Sequence, residues 1–170
     1  MTSGFAHEST SADTIEWYTP QYIFDKLGVE FDLDPCAPLE SEFRTVPAKR
    51  FLTQHDSGLL SPWHENENVF MNPPYGAEIK MWMNKFALHN NGIALVFART
   101  DTKWFQDTVS FATAICFPRG RIQFIRSNGD ESGMNAAAPS CFVAFGDANA
   151  EALRNSGLGM VVSGWGDSKS

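Results

Sequence analysis

The segment that most restricts the fold is Asn72-Pro73-Pro74-Tyr75. A short apolar run, Val69-Phe70-Met71, leads into it. After Gly76, Ile79, Trp82, Met83, Phe86 and Ala87 recur at helical spacing until Asn90-Asn91-Gly92. An apolar run, a rigid turn and an amphipathic stretch predict strand, turn and helix in succession. Both prolines lack an N–H and hold φ near one value, so the backbone is stiff and its carbonyls stay free to accept. The Asn72 side chain adds an acceptor, and Tyr75 adds a flat face. Two fixed acceptors beside an aromatic face suit a planar ring that carries an exocyclic amine. A plain tight turn at a strand end is the alternative, because Pro-Pro also occurs in ordinary loops.

The flanking chain supplies further elements. Thr19 is expected to cap a helix whose first position is Pro20, with Gly28 as its stop. Val29–Asp34 alternates apolar and acidic residues and reads as a strand that Pro35-Cys36-Ala37-Pro38 ends sharply. Asp34 then sits at a strand's carboxyl end, where open α/β sheets place ligands and where a carboxylate can accept from a ribose or an ammonium group. Lys49–Thr53 suits a short strand and Asp56-Ser57-Gly58 a turn, with Leu59, Leu60 and Trp63 as a small apolar cluster. Ile93–Ala98 and Ala112–Phe117 read as buried strands, Asp101–Ser110 as a helix, Arg121–Ile125 and Ser140–Phe145 as strands, and Asp147–Asn155 as a short helix. The order predicts one α/β domain over 14–170, preceded by a mobile polar arm over 1–13. Its sheet is mostly parallel, with helices on both faces and an antiparallel edge hairpin.

Composition narrows the function classes. At 43% hydrophobic and 19% charged residues the chain has the makings of a packed core rather than of disorder. No apolar run reaches the length of a membrane span, and the polar N-terminus lacks the pattern of a signal peptide. Three widely spaced cysteines, without a CxxC pair or clustered histidines, predict neither a disulfide framework nor a metal site. A reducing cytoplasm is the expected compartment, and Cys116 and Cys141 are expected in the core. The formal net charge of −7 runs against general nucleic-acid binding. However, Arg99, Lys103, Arg119, Arg121 and Arg126 all follow the Asn-Pro-Pro-Tyr turn, so a local basic surface is compatible with the sum.

Taken in order, these motifs resemble the DNA N6-adenine methyltransferases, in particular the compact phage-type Dam-like group; for a phage protein the compartment would be the host cytoplasm. Trp17-Tyr18-Thr19-Pro20 resembles the family's opening motif, which contacts the methionine end of S-adenosylmethionine. The run Phe31-Asp32-Leu33-Asp34-Pro35-Cys36-Ala37 resembles its cofactor motif, and Asn72-Pro73-Pro74-Tyr75 its catalytic motif. Pro118-Arg119-Gly120-Arg121-Ile122 and Ala138-Pro139-Ser140 resemble its closing strands. The resemblance runs from about Trp17 to Gly146 and implies a Rossmann-like fold. It departs from many methyltransferases in having no glycine in the turn after Asp34. Pro38–Val69 is also short for two full βα units, which leaves Asp56 as the candidate for the acidic residue at the cofactor's ribose or adenine.

The resemblance further implies double-stranded DNA as partner and a flipped-out adenine whose amine is held by Asn72 and Pro73 and whose ring stacks on Tyr75. No His or Cys nucleophile is required. Arg99, Lys103, Arg119, Arg121 and Arg126 are the expected phosphate contacts. Asn128 and Asn135, in the 127–139 loop, are the expected base-edge readers. The same chemistry on cytosine N4, guanine N2 in RNA or a protein glutamine stays open, as does a catalytically silent DNA-binding module. A dinucleotide-dependent oxidoreductase is disfavoured, because the chain has no GxGxxG turn.

Overall fold

The computed structural model describes residues 17–126 and 138–164. The expected arm over 1–13, together with Asn128 and Asn135, lies outside them. In chain order the elements are β1 (Trp17–Tyr18), α1 (Gln21–Leu27), β2 (Phe31–Asp34), a 3-10 turn (Ser41–Phe43), β3 (Ala48–Phe51) and β4 (Val69–Met71). They continue as α2 (Ile79–His89), β5 (Gly92–Phe97), α3 (Lys103–Val109), β6 (Ala114–Pro118), β7 (Ile125–Arg126), β8 (Ser140–Phe145), α4 (Asp147–Asn155) and β9 (Gly159–Ser163).

Seven strands form one sheet in the order β3-β2-β4-β5-β8-β6-β9. The first four are mutually parallel; β8 is antiparallel to both β5 and β6, and β9 is antiparallel to β6. The expected antiparallel edge hairpin is therefore replaced by a different arrangement. β8 inserts between β5 and β6, which suits an uninterrupted apolar strand buried on both faces. The edge is taken by β9, from a segment whose sequence carries little pattern. Of the expected Arg121–Ile125 strand only Ile125 is in strand, where it forms β7 together with Arg126. They pair with Tyr18 and Trp17 in a separate two-stranded ribbon.

Alternation along the strands divides the apolar side chains between two cores. On one face Phe70, Ile93, Leu95, Phe142 and Ala144 pack against Ile23, Phe24 and Leu27 of α1 and Ala150 and Leu153 of α4. On the other Met71, Ala94, Val96, Cys141 and Val143 pack against Trp82, Met83 and Phe86 of α2 and Phe105 and Val109 of α3. Fully buried Phe31, Phe70, Phe86, Phe142 and Phe145 anchor both layers, each worth roughly 1.5–3 kcal/mol of burial. β2 breaks the alternation: Phe31 joins the first core and Leu33 the second. The N–H groups of Asp32 and Leu33 both donate to the Asn68 carbonyl, which disrupts the two-residue period there.

Helix ends follow the sequence in part. Gly28 and Asn90 close α1 and α2 in the left-handed conformation. Thr19, by contrast, does not cap α1: Pro20 occupies that position, with no side-chain cap, and Thr19 faces elsewhere. Leu60 is also not part of an apolar cluster, being 87% exposed, while Leu59 and Trp63 pack on the second core. No helix among the described residues is long and apolar enough to cross a membrane.

The long connection from β3 to β4 is held by Lys85, whose ammonium donates to the carbonyls of Gly58, Leu59 and Ser61 at 2.6–3.0 Å. This brings Gly58 against the end of β2. A Cβ at Gly58 would collide with the Pro35 carbonyl oxygen and lie 2.8 Å from the Trp82 ring. Gly58→Ala should therefore destabilise the protein by about 1–3 kcal/mol, seen in thermal unfolding as a fall in Tm of about 2–4 °C per kcal/mol. An unchanged Tm would contradict the close approach.

Candidate active site

β2, β4, β5 and β6 point the same way, so their carboxyl ends, Asp34, Met71, Phe97 and Pro118, lie along one edge of the sheet. The residues that follow, Pro35, Asn72, Ala98 and Arg119, open that edge. Ser140, at the start of β8 and paired with Phe97, joins it from the opposite direction. From β2 the sheet grows one way through β3 and the other way through β4. The crevice between β2 and β4 is thus the point where strand order reverses, which is where open α/β sheets bind ligands. Asp34 and Asn72 stand on its two sides.

Asn72 is held from β1. Its amide Nδ2 donates to the Trp17 carbonyl at 2.9 Å and to Thr19 Oγ1 at 3.3 Å. A carbonyl can only accept, so this pairing fixes which way the amide faces. Oδ1 is left as the outward acceptor, and no described residue donates to it. The Pro73 carbonyl likewise receives no hydrogen bond from a described residue. Thr19 is 3% exposed, and its own carbonyl accepts from the Thr45 hydroxyl. The β1–β7 ribbon keeps Trp17 in position: Trp17 lies opposite Arg126 and its ring meets the Phe124 edge.

Tyr75 lies flat on Phe97, with ring centroids 3.9 Å apart and planes 16° from parallel. One face is therefore taken, and a base could stack only on the other. The Tyr75 hydroxyl is buried with no partner among the described residues, as is the Ser140 hydroxyl. Burial pushes the phenol up, with the Cys141 and Cys36 thiols adding to the shift. A buried unpaired hydroxyl costs about 1–3 kcal/mol, so two at one edge mark an arrangement that a ligand could relieve. Cys141 is itself pushed up to about 12 by burial, which keeps that thiol protonated and a poor nucleophile.

Asp34 is 2% exposed and accepts the Cys36 N–H at 3.0 Å. Burial raises its carboxyl to about 7; that hydrogen bond and the charge of Arg44 oppose the shift. Arg44 also lowers the carboxyl of Asp56, after the larger effects of the Thr53 backbone and hydroxyl groups. Asp56 is exposed and spends Oδ2 on those Thr53 groups. Asp32 has a structural setting: one oxygen pairs with Lys49 at 2.7 Å and the other accepts the Asn68 N–H at 2.9 Å.

Arg99, Lys103, Arg119 and Arg121 are exposed at or just beyond this edge. Arg126 contributes its backbone to β7. Lys49 and Arg50 have acidic partners instead, Asp32 and Glu67. Sequence reasoning missed Phe97, Thr45, Arg44, Lys85 and the placement of Gly58. None of these carries a local signature, because each acts on a residue far away along the chain.

The Asp34 carboxyl generates a pH prediction. An unfolded Asp releases its proton near pH 3.9, while the folded protein keeps it up to about 7. Its contribution to stability is thus fully present below about pH 4 and lost as the pH rises through 7. Asp34→Asn, which retains an oxygen for the Cys36 N–H, should be more stable than wild type at pH 8 by on the order of a few kcal/mol. The gain should vanish at pH 4. Urea unfolding at both pH values measures this, and equal differences at the two would exclude it.

Neither a curated protein nor a solved structure matches the chain. One family model does match, over residues 7–156, and its description is DNA N-6-adenine-methyltransferase (Dam). The match spans most of the chain, including every element that meets at the β2–β4 crevice. The chain therefore belongs to the Dam family of DNA N-6-adenine-methyltransferases.

Proposed function

We propose that the protein transfers a methyl group from S-adenosylmethionine to the exocyclic N6 of an adenine in double-stranded DNA, and that its fold is a Rossmann-like methyltransferase fold. The observation that carries this reading is the Asn72 amide, turned so that Oδ1 and the adjacent Pro73 carbonyl are both open acceptors.

The amine of adenine is a weak nucleophile because its lone pair is delocalised into the ring. Its two N–H groups donating to Asn72 Oδ1 and the Pro73 carbonyl favour a pyramidal nitrogen. That frees the lone pair and stabilises the positive charge that grows as the methyl arrives. The acceptors are fixed in advance, so the effect is electrostatic preorganisation and needs no general base. The proton leaves the nitrogen after transfer. Duplex DNA hides the amine, so the base must leave the stack; the face of Tyr75 not covered by Phe97 is then its platform.

S-adenosylmethionine supplies an electrophilic methyl group on a sulfonium centre. The residues at the crevice fit it. Asp34 is a buried carboxylate with one N–H partner at a strand end, suited to hydroxyl or ammonium donors. Pro35 and Cys36 continue the wall, and Trp17–Pro20 borders Asn72. Asp56 keeps Oδ1 open and shares the Arg44 field with Asp34, which makes it the candidate for the ribose. Asp32 has both oxygens engaged and serves the frame.

Incubating the protein with labelled cofactor and mixed-sequence duplex DNA, then digesting to nucleosides, should give N6-methyladenine. Label on cytosine N4 would keep the chemistry and change the acceptor; cofactor binding with no transfer would support a silent binding module. Asn72→Ala should keep cofactor affinity within a small factor and lose about 10²–10³ in single-turnover rate. Thr19→Val should lose part of that rate and Thr19→Ser recover it, since Thr19 acts only through the Asn72 amide. Near-normal turnover in Asn72→Ala would sink the mechanism.

A further inference from the structure

Most of the described cations sort into two groups. Lys49, Arg50 and Arg154 pair with carboxylates, and the side chains of Arg44 and Lys85 donate to backbone carbonyls. The side chains of Lys26, Lys80, Arg99, Lys103 and Arg119 have no carboxylate or carbonyl partner among the described residues. Two of these, Lys26 and Arg119, meet in a cleft remote in sequence from the Asn72 turn. It holds about 190 Å³ and is lined by Tyr22, Lys26, Arg119 and Arg121 over the apolar side chains of Ile122 and Leu158. No carboxylate among the described residues lines it.

The cleft has a fixed frame. The Arg119 N–H donates to the Leu158 carbonyl at 2.9 Å, tying the end of β6 to the start of β9. Gly120 and Gly157 turn its two walls with φ of +84° and +65°, and a Cβ at either would meet nothing within 4 Å, so its rim is open. Its volume lies below the roughly 300–1,000 Å³ of pockets that enclose small molecules. That is too little for a dinucleotide-sized cofactor and enough for one tetrahedral anion. Burial raises the Tyr22 phenol, which keeps it a neutral donor.

Position gives the anion a source. Arg119 follows β6, on the same sheet edge as Asn72, and Lys26 lies about 8 Å along α1 from Gln21. The residues just before α1 are those that grip Asn72. We propose that this cleft holds a backbone phosphodiester of the DNA substrate, with Lys26 and Arg119 as its anchoring cations and Tyr22 as a supporting donor. The proposal rests on the reading of the chain as a DNA methyltransferase and adds to it a phosphate site on α1.

The test is the salt dependence of DNA affinity for wild type, Lys26→Ala, Arg119→Ala and the double variant, on several unrelated duplexes. Each single change should lower the slope of log affinity against log salt by about 0.9, and the double by about 1.8, equally on every duplex. Lys49→Ala, at the amino-terminal end of β3, should keep the wild-type slope. If wild type methylates DNA while the cleft variants keep its slope, or if Lys49→Ala lowers the slope equally, the cleft is not a phosphate site. A wild type that neither binds nor methylates duplex DNA would overturn the methyltransferase reading and this site together.

Discussion

The hydrogen bond from the Asn72 amide to the Trp17 carbonyl joins two parts of the chain that are fifty-five residues apart. Much of the architecture at the crevice serves that contact. β1 is only two residues long and would not hold its place alone; β7 pairs with it, and Phe124 packs against the Trp17 ring. Thr19 turns away from capping α1 and towards Asn72, leaving a seven-residue helix with no side-chain cap. Stability at a helix end, where a cap is typically worth about 1 kcal/mol, is exchanged for a defined side chain at the site.

The sheet gives this contact its setting. Parallel strands β2 and β4 end side by side, and the reversal of strand order between them opens a crevice that neither strand fills. The residues placed there are poor for stability. Among the described residues Asp34 is a buried acid with one hydrogen bond, and Tyr75 and Ser140 carry buried hydroxyls with none. Such groups are tolerated because two apolar layers elsewhere are well packed, with interlocked rings such as Phe24 on Phe70 at 4.8 Å. Groups that burial destabilises and that converge on one crevice are characteristic of a site rather than of a frame.

Residues whose role depends on local pattern were legible in the sequence. The strand–turn–helix around Asn72, the left-handed ends at Gly28 and Asn90, the buried run Ile93–Val96 and the helix Asp147–Asn155 all follow from periodicity and turn chemistry. What was not legible depended on contacts across the chain. Strand β8 reads as a strand from its apolar run, but its place between β5 and β6 depends on pairing partners that no local pattern specifies. No residue of β9 is buried, so its pattern carries no strong signal, and only the hydrogen bonds of β6 make it a strand. Thr19 before Pro20 is a good cap by sequence, and only the distant Asn72 amide explains why it is used otherwise. Lys85 reads as a solvated helix residue until the three carbonyls of the 58–61 loop are placed around it.

The central claim is that Trp17 and Thr19 fix the Asn72 amide so that its oxygen faces the incoming amine. Solution NMR of protein labelled with 15N at asparagine side chains tests it directly, through hydrogen exchange of the two Asn72 amide protons. With both protons donated to Trp17 and Thr19, exchange should be well slower than for a free asparagine side chain, and Thr19→Val should speed one proton more than the other. Exchange of both protons at the free rate, unchanged by Thr19→Val, would contradict the account.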